Sequence, residues 1–237
     1  VFVHFIFHEG VELSAKVKAK YLLLFGIINF ILYFTIEALI TTSEYDFLTP
    51  LDLKIPFIPE FIWIYHSFIP VIILSLIGLV KSKRIFLSAL GAFFTAMVIL
   101  SLFYVLLPSY YPSDLWPTTT DTLSDWLLNL TRAIDAPNNT LPSGHNTFCW
   151  MIAFFMIPTT CAKKYNWMLP VYFIWAGLIT ASTLVLKQHY IVDAISGIVL
   201  AFMCYKFAMK VIAPKIKEIQ LAEKNEKVYN DIQALGF

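Results

Sequence analysis

Ser182-Thr183-Leu184-Val185-Leu186-Lys187-Gln188-His189-Tyr190-Ile191-Val192-Asp193 joins two long apolar runs. The runs occupy residues 167–186 and 190–212. Each reaches the roughly 20 mostly apolar residues that a bilayer crossing needs. Only the short Lys187-Gln188 link and His189 stand between them. Read as a turn, the link makes two spans that meet at one membrane surface. Four more runs of this kind lie at 21–40, 61–80, 85–107 and 143–161. The expected fold is therefore all-α: a polytopic membrane protein with a six-transmembrane-helix bundle, one membrane-embedded domain over residues 1–237. Outside the spans lie an N-terminal interfacial segment (1–20), a long polar loop (108–142) and a C-terminal tail (213–237).

Composition supports that class. The 237 residues are 59% hydrophobic and 14% charged, with a mean hydropathy of +0.72. Soluble domains carry about 25% charged residues. Phenylalanine is the most used aromatic, which suits lipid-facing helices. A net charge of +1 gives no basic field, so no nucleic-acid partner is expected. Cys149, Cys161 and Cys204 lie in or beside apolar runs without metal-ligand spacing and read as small apolar residues. Residues 1–8 are apolar but too short to span, and their flanks do not suit a secretory signal.

Lysine and arginine set the expected orientation. Lys16, Lys18 and Lys20 precede the first run. Lys81, Lys83 and Arg84 join the second and third. Lys163 and Lys164 join the fourth and fifth, and Lys210, Lys215 and Lys217 follow the sixth. With six spans these clusters share one side, so both termini are expected in the cytoplasm. The other side takes Glu44, Asp46 and Asp52, then Asp114, Asp121, Asp125 and Asp135 of the long loop. Ile55-Pro56-Phe57-Ile58-Pro59-Glu60 reads as a non-helical lead into the second span. The tail reads as a short helix or a frayed solvated segment.

This topology places two motifs at one depth. Pro142-Ser143-Gly144-His145 opens the fourth run, and His189-Tyr190-Ile191-Val192-Asp193 opens the sixth. Ionisable groups in such positions are expensive and point to function. His189 and Asp193 are four apart and share a helix face. Asp193 can accept a hydrogen bond from one ring nitrogen and direct the other. A carboxylate-supported imidazole is a nucleophile toward phosphorus. His145 can protonate a leaving oxygen from the far side. The amides at Ser143, Gly144 and His145 open a helix and suit an anion, and Gly144 permits close approach. Any one of these histidines alone reads as a packing residue; the set at one depth does not.

The two motifs resemble the second and third signatures of the type-2 phosphatidic acid phosphatase superfamily, over roughly the second half of the chain. The resemblance implies His189 as nucleophile, Asp193 as its partner and His145 as general acid, with no metal or other cofactor. The chain departs from the ordinary phosphatase branch. No first signature with lysine and an Arg-Pro pair precedes Pro142, and Thr183 stands where that branch has arginine. In this it is similar to the inositol phosphorylceramide and sphingomyelin synthase branch, which transfers a phosphate headgroup between alcohols. Residues 134–139 also resemble a loop of that branch. Lys187 and Arg132, the long loop's one arginine, are the candidates to replace the missing phosphate-binding cations.

The expected function is cleavage or transfer of a phospholipid phosphate or headgroup at the extracytoplasmic face. The partners are a membrane phospholipid and, for transfer, a lipid alcohol acceptor. Other classes on this pattern are a lipid or ion transporter and an inactive scaffold. A transporter would place polar breaks at the midplane, whereas here the ionisable groups gather at one end. The oligomeric state is not legible. Asn129-Leu130-Thr131 and Asn138-Asn139-Thr140 match the glycosylation pattern, and neither is taken as modified.

Overall fold

The computed structural model describes residues 12–40, 44–112, 116–117, 122–135 and 137–234, with side chains up to 226. Residues 1–8, Asp114, Asp121 and Ala136, which carried parts of the sequence reading, lie outside the described residues. The described helices are α1 (Ala15–Leu39), α2 (Ile62–His66), α3 (Phe68–Leu74), α4 (Lys83–Leu106) and α5 (Leu123–Ile134). They continue with α6 (Gly144–Met156), α7 (Thr160–Lys164), α8 (Met168–Val185), α9 (Ile191–Phe207) and α10 (Ala213–Ala234). Among the described residues the β-structure is limited to isolated bridges. Five stretches are long and apolar enough to cross a membrane: Ala15–Leu39, Pro59–Leu79, Lys83–Leu106, Met168–Val185 and Ile191–Glu226. The chain is an all-α polytopic membrane protein.

The run expected as a fourth span, 143–161, is different. Its helix α6 has 13 residues, a rise of about 20 Å against the ~30 Å of hydrocarbon. Pro158 separates it from α7. In exchange α6 is the centre of the bundle. It packs against α9, α8, α4 and α3, and Cys149, Met151, Ile152, Ala153, Phe155 and Met156 are fully buried. Around it α4 presents Ser88, Ala89, Ala92 and Ala96, all fully buried. Small residues of this kind let membrane helices approach closely. By contrast α1 turns Leu23, Phe30 and Leu39 outward, as a lipid-facing helix should.

Proline explains the irregular spans. The 61–80 run is not one α-helix but α2, α3 and a π-turn at Ser75–Leu79. Pro70 has no N–H for the His66 carbonyl, and the helix breaks at Ser67. Ahead of it, Pro59–Phe61 forms a 3₁₀ turn rather than a regular α-helical start. The π-turn Ala208–Ile212 precedes Pro214 in the same way, and the chain then continues as α10. α10 is tied to α4 by Lys83 Nζ and Glu223 Oε2 at 3.5 Å.

The long polar loop, expected to be irregular, contains a helix. α5 opens with a capping box: Thr122 N–H donates to Asp125 Oδ2 at 3.1 Å, and Asp125 N–H donates to Thr122 Oγ1 at 3.2 Å. One face carries exposed Leu123, Trp126, Leu130 and Ile134. The other is fastened to α2, through Trp63 Nε1 donating to Ser124 Oγ at 3.1 Å and His66 Nε2 against Thr131 Oγ1 at 2.9 Å.

Candidate active site

α6 and α9 begin at the same end of the bundle and are laced together there. The Ser143 N–H donates to the Asp193 carbonyl at 3.0 Å. Gly197 on α9 faces Ser143 so closely that an added Cβ would lie 2.6 Å from the Ser143 carbonyl oxygen. This contact brings the two motif histidines together: their ring centroids are 5.8 Å apart with planes at 62°. Both rings line a cavity of about 260 Å³. His145 rests between Tyr65, at 4.4 Å between centroids, and Phe68, at 4.8 Å.

His189 and Asp193 meet as their spacing requires, with Nδ1 and Oδ2 3.5 Å apart. That is an ion-pair distance rather than an aligned hydrogen bond, and Nδ1 has no hydrogen-bond partner. Asp193 has a second task. Its Oδ2 accepts the Tyr190 N–H at 2.9 Å, while Asp52 Oδ1 accepts the Ile191 N–H at 2.8 Å. Two carboxylates thus satisfy the first amides of α9 and complement its dipole.

Behind the histidines lies a buried polar network. Asn146 Nδ2 donates to Ser143 Oγ at 3.0 Å and to Thr183 Oγ1 at 3.2 Å. The Thr183 carbonyl in turn accepts the N–H groups of Gln188 at 3.0 Å and His189 at 3.1 Å. Asn146 therefore couples the start of α6, which carries His145, to the turn that carries His189. Threonine at 183 belongs to this frame.

The amides expected to bind an anion are partly committed. Ser143 is fully buried, its N–H goes to Asp193, and its hydroxyl caps α6 by accepting from Asn146 N at 3.3 Å. The Gly144 amide lies against the Tyr104 hydroxyl, which itself donates to the Pro142 carbonyl at 3.1 Å. Gly144 and His145 line the cavity; Ser143 supports it from behind.

The two candidate cations do not line the cavity. Lys187 Nζ donates to the carbonyls of Asp52 at 3.0 Å and Ile55 at 2.6 Å. Burial lowers its pKa and Asp52 opposes the shift. Lys187 also has φ 58°, a left-handed conformation that costs a non-glycine residue about 1–2 kcal/mol. Arg132 donates from Nη1 to the Pro117 carbonyl and from Nη2 to the Leu186 carbonyl, both at 3.0 Å. Its guanidinium packs on Trp116, 4.7 Å from the ring centroid, and burial pulls its pKa down to about 10. Leu186 is the C-cap of α8, so Arg132 caps the carbonyl end of that helix. The physical reason is proximity: a cation drawn out of water turns its donors to the nearest carbonyls, and of the Arg132 nitrogens only Nε is left buried without a partner.

Arg132→Lys keeps the charge but loses the two-carbonyl fork and the stacking surface. The expected cost is about 1–3 kcal/mol of stability, read as a lower thermal unfolding midpoint in detergent. A raised KM with an unchanged midpoint would instead mean that Arg132 meets substrate.

Asp135 stands in the cavity wall and was legible in the sequence only as a loop charge. Its Oδ1 accepts from Tyr33 Oη at 2.6 Å. Burial raises its pKa, opposed by the Tyr33 hydrogen bond and by nearby His189. Tyr33, Tyr65, Tyr104 and Trp116 add aromatic wall, and Asn139 and Gln188 add carboxamides. Among the described residues no group of three or more His, Cys, Asp or Glu is arranged to hold a metal ion.

A family model described as the PAP2 superfamily matches residues 55–207. That range holds His145, His189 and Asp193. No curated protein and no solved structure matches the chain.

Proposed function

The chain belongs to the PAP2 superfamily, and from that premise we propose that it is a membrane-embedded phosphatase or phosphotransferase acting on a phospholipid. The observation that carries this reading is the pair of imidazoles 5.8 Å apart in one cavity, one of them backed by a carboxylate. Reacting atoms must lie about 3–3.5 Å apart for attack. A phosphorus atom between two rings at this separation is within reach of a nitrogen from each.

In the first step His189 Nε2 forms a bond to phosphorus. The bond from phosphorus to the departing oxygen breaks, and His145 gives that oxygen a proton. In the second step His145 takes a proton from an incoming hydroxyl, whose oxygen bonds phosphorus as the P–N bond breaks. Water makes the protein a phosphatase; a lipid alcohol makes it a transferase. Asp193 holds the imidazole that becomes positively charged.

The absence of lysine and arginine from the described cavity wall favours the branch that resembles the inositol phosphorylceramide and sphingomyelin synthases. The lysine and arginine clusters between spans support a cavity that opens on the extracytoplasmic side. The test is headgroup release in detergent, with no membrane gradient, from a panel of phospholipids with and without ceramide or diacylglycerol. Mass spectrometry should find a freed phosphate compound or a new lipid. No product from any lipid in the panel would reject the enzyme reading in favour of transport or scaffolding.

A further inference from the structure

A catalytic cavity for phosphate needs donors for the non-bridging oxygens, and the two expected cations are engaged elsewhere. Among the described residues no lysine or arginine lines this cavity. Four carboxamides do, Asn29, Asn138, Asn139 and Gln188, and the last two are the buried ones. Gln188, 8% exposed, and Asn139, 4% exposed, both stand in the wall. Gln188 Nε2 and both polar atoms of Asn139 are buried without a hydrogen-bond partner. Unpaired buried amides are costly and rare, and a partner that arrives with the substrate removes the cost. Gln188 adjoins the nucleophile in sequence, and its backbone shares the Thr183 carbonyl with His189. We infer that Gln188 and Asn139 are the phosphate-binding residues, and that they form a neutral site selecting a singly charged phosphodiester lipid over a doubly charged phosphomonoester. This rests on the proposed function and names the substrate class for the same cavity.

The charge balance supports the selection. Working imidazoles contribute one positive charge: His145 protonated as the acid, His189 neutral as the nucleophile. Two carboxylates stand against it, Asp193 at His189 and Asp135 in the wall. A phosphodiester adds one negative charge. A phosphomonoester carries nearly two at neutral pH, because its second pKa is about 6. Carboxamide donors stabilise an anion without a compensating charge, so the second charge remains unpaid in a water-poor cavity. Asn139 also has φ 57°, a conformation that asparagine and glycine tolerate. Its identity could answer to backbone alone, and a glycine variant separates the two roles.

The experiment measures binding in the inactive His189→Ala chain, purified whole in detergent, so that no turnover is needed. The probes are dioctanoyl phosphatidylglycerol as diester and dioctanoyl phosphatidic acid as monoester, followed by tryptophan fluorescence, since Trp116 lines the cavity. The diester should bind at least about tenfold more tightly. Gln188→Met and Asn139→Gly should each weaken diester binding about 10- to 100-fold, the worth of a hydrogen bond to a charged group. Gln188→Lys should shift the preference toward the monoester, a gain that misfolding cannot mimic. Equal binding of the two lipids, or diester binding within twofold of the parent in both neutral variants, overturns the assignment. Turnover by the chain with His189 intact is read separately. Variants that bind unchanged beside an active enzyme sink the carboxamide site alone. Selective binding without any turnover upholds the site and sinks the chemistry.

Discussion

His189→Ala should abolish turnover and leave the bundle folded. In the proposed mechanism the His189 imidazole supplies the nitrogen that bonds phosphorus. Among the described cavity residues His145 is the other imidazole, and the proposed mechanism puts it on the leaving-group side. Loss of a residue that acts as the nucleophile of a catalytic unit lowers kcat by about 10⁴-fold or more. The fold survives because the elements around His189 are held by other atoms. Its backbone N–H bonds the Thr183 carbonyl at 3.1 Å, and the first amides of α9 are held by Asp52 and Asp193. Product formation by mass spectrometry and a thermal unfolding curve on the same preparation check both halves. Activity within tenfold of the parent, in a folded variant, removes His189 from the nucleophile's role.

That result would bear on a residue found by spacing alone, and the difference between such residues and the rest is physical. His189 and Asp193 lie four apart on one helix, so their contact at 3.5 Å is local. Their meeting with His145 was inferred from equal depth at the start of two apolar runs, and the 5.8 Å separation agrees with it. The spans were legible because apolar length is a one-dimensional property. The shortness of α6 was not, since burial inside a bundle and immersion in lipid select the same residues. Asp135, Tyr33 and Asn139 were missed as site residues because their approach to the histidines is set by the packing of α1 and the long loop. Asp52 left no trace either: it caps a helix that begins 139 residues later. The Thr122–Asp125 capping box did leave one, and the polar composition of the loop masked it. Lys187 and Arg132 show the converse case. Charge and depth made them candidates for phosphate, and nearby carbonyls hold Lys187 Nζ and two of the Arg132 nitrogens.

Gly197→Ala should disable the site from a position that touches no substrate. A Cβ there would meet the Ser143 carbonyl oxygen at 2.6 Å, Asn146 Cβ at 3.1 Å and Thr147 N at 3.3 Å. Two of these atoms are backbone, so the helices must part rather than a side chain rotate. α6 is buried along most of its surface, which leaves α9 as the element to move. The strain falls beside the Ser143–Asp193 bond that laces the two motifs. An overpacked core contact costs about 1–3 kcal/mol, and a shift near 1 Å between reacting groups costs about 10²-fold in rate. The expected result is a loss of about 10²-fold in kcat beside a modest fall in the unfolding midpoint. Gly177→Ala is the matched control: an added Cβ on α8 meets nothing within 4 Å. Alanine also favours helix over glycine by up to about 1 kcal/mol, so that variant should keep full activity and melt no lower. Equal activity in the two alanine variants would mean that the α6–α9 crossing does not set the distance between the histidines.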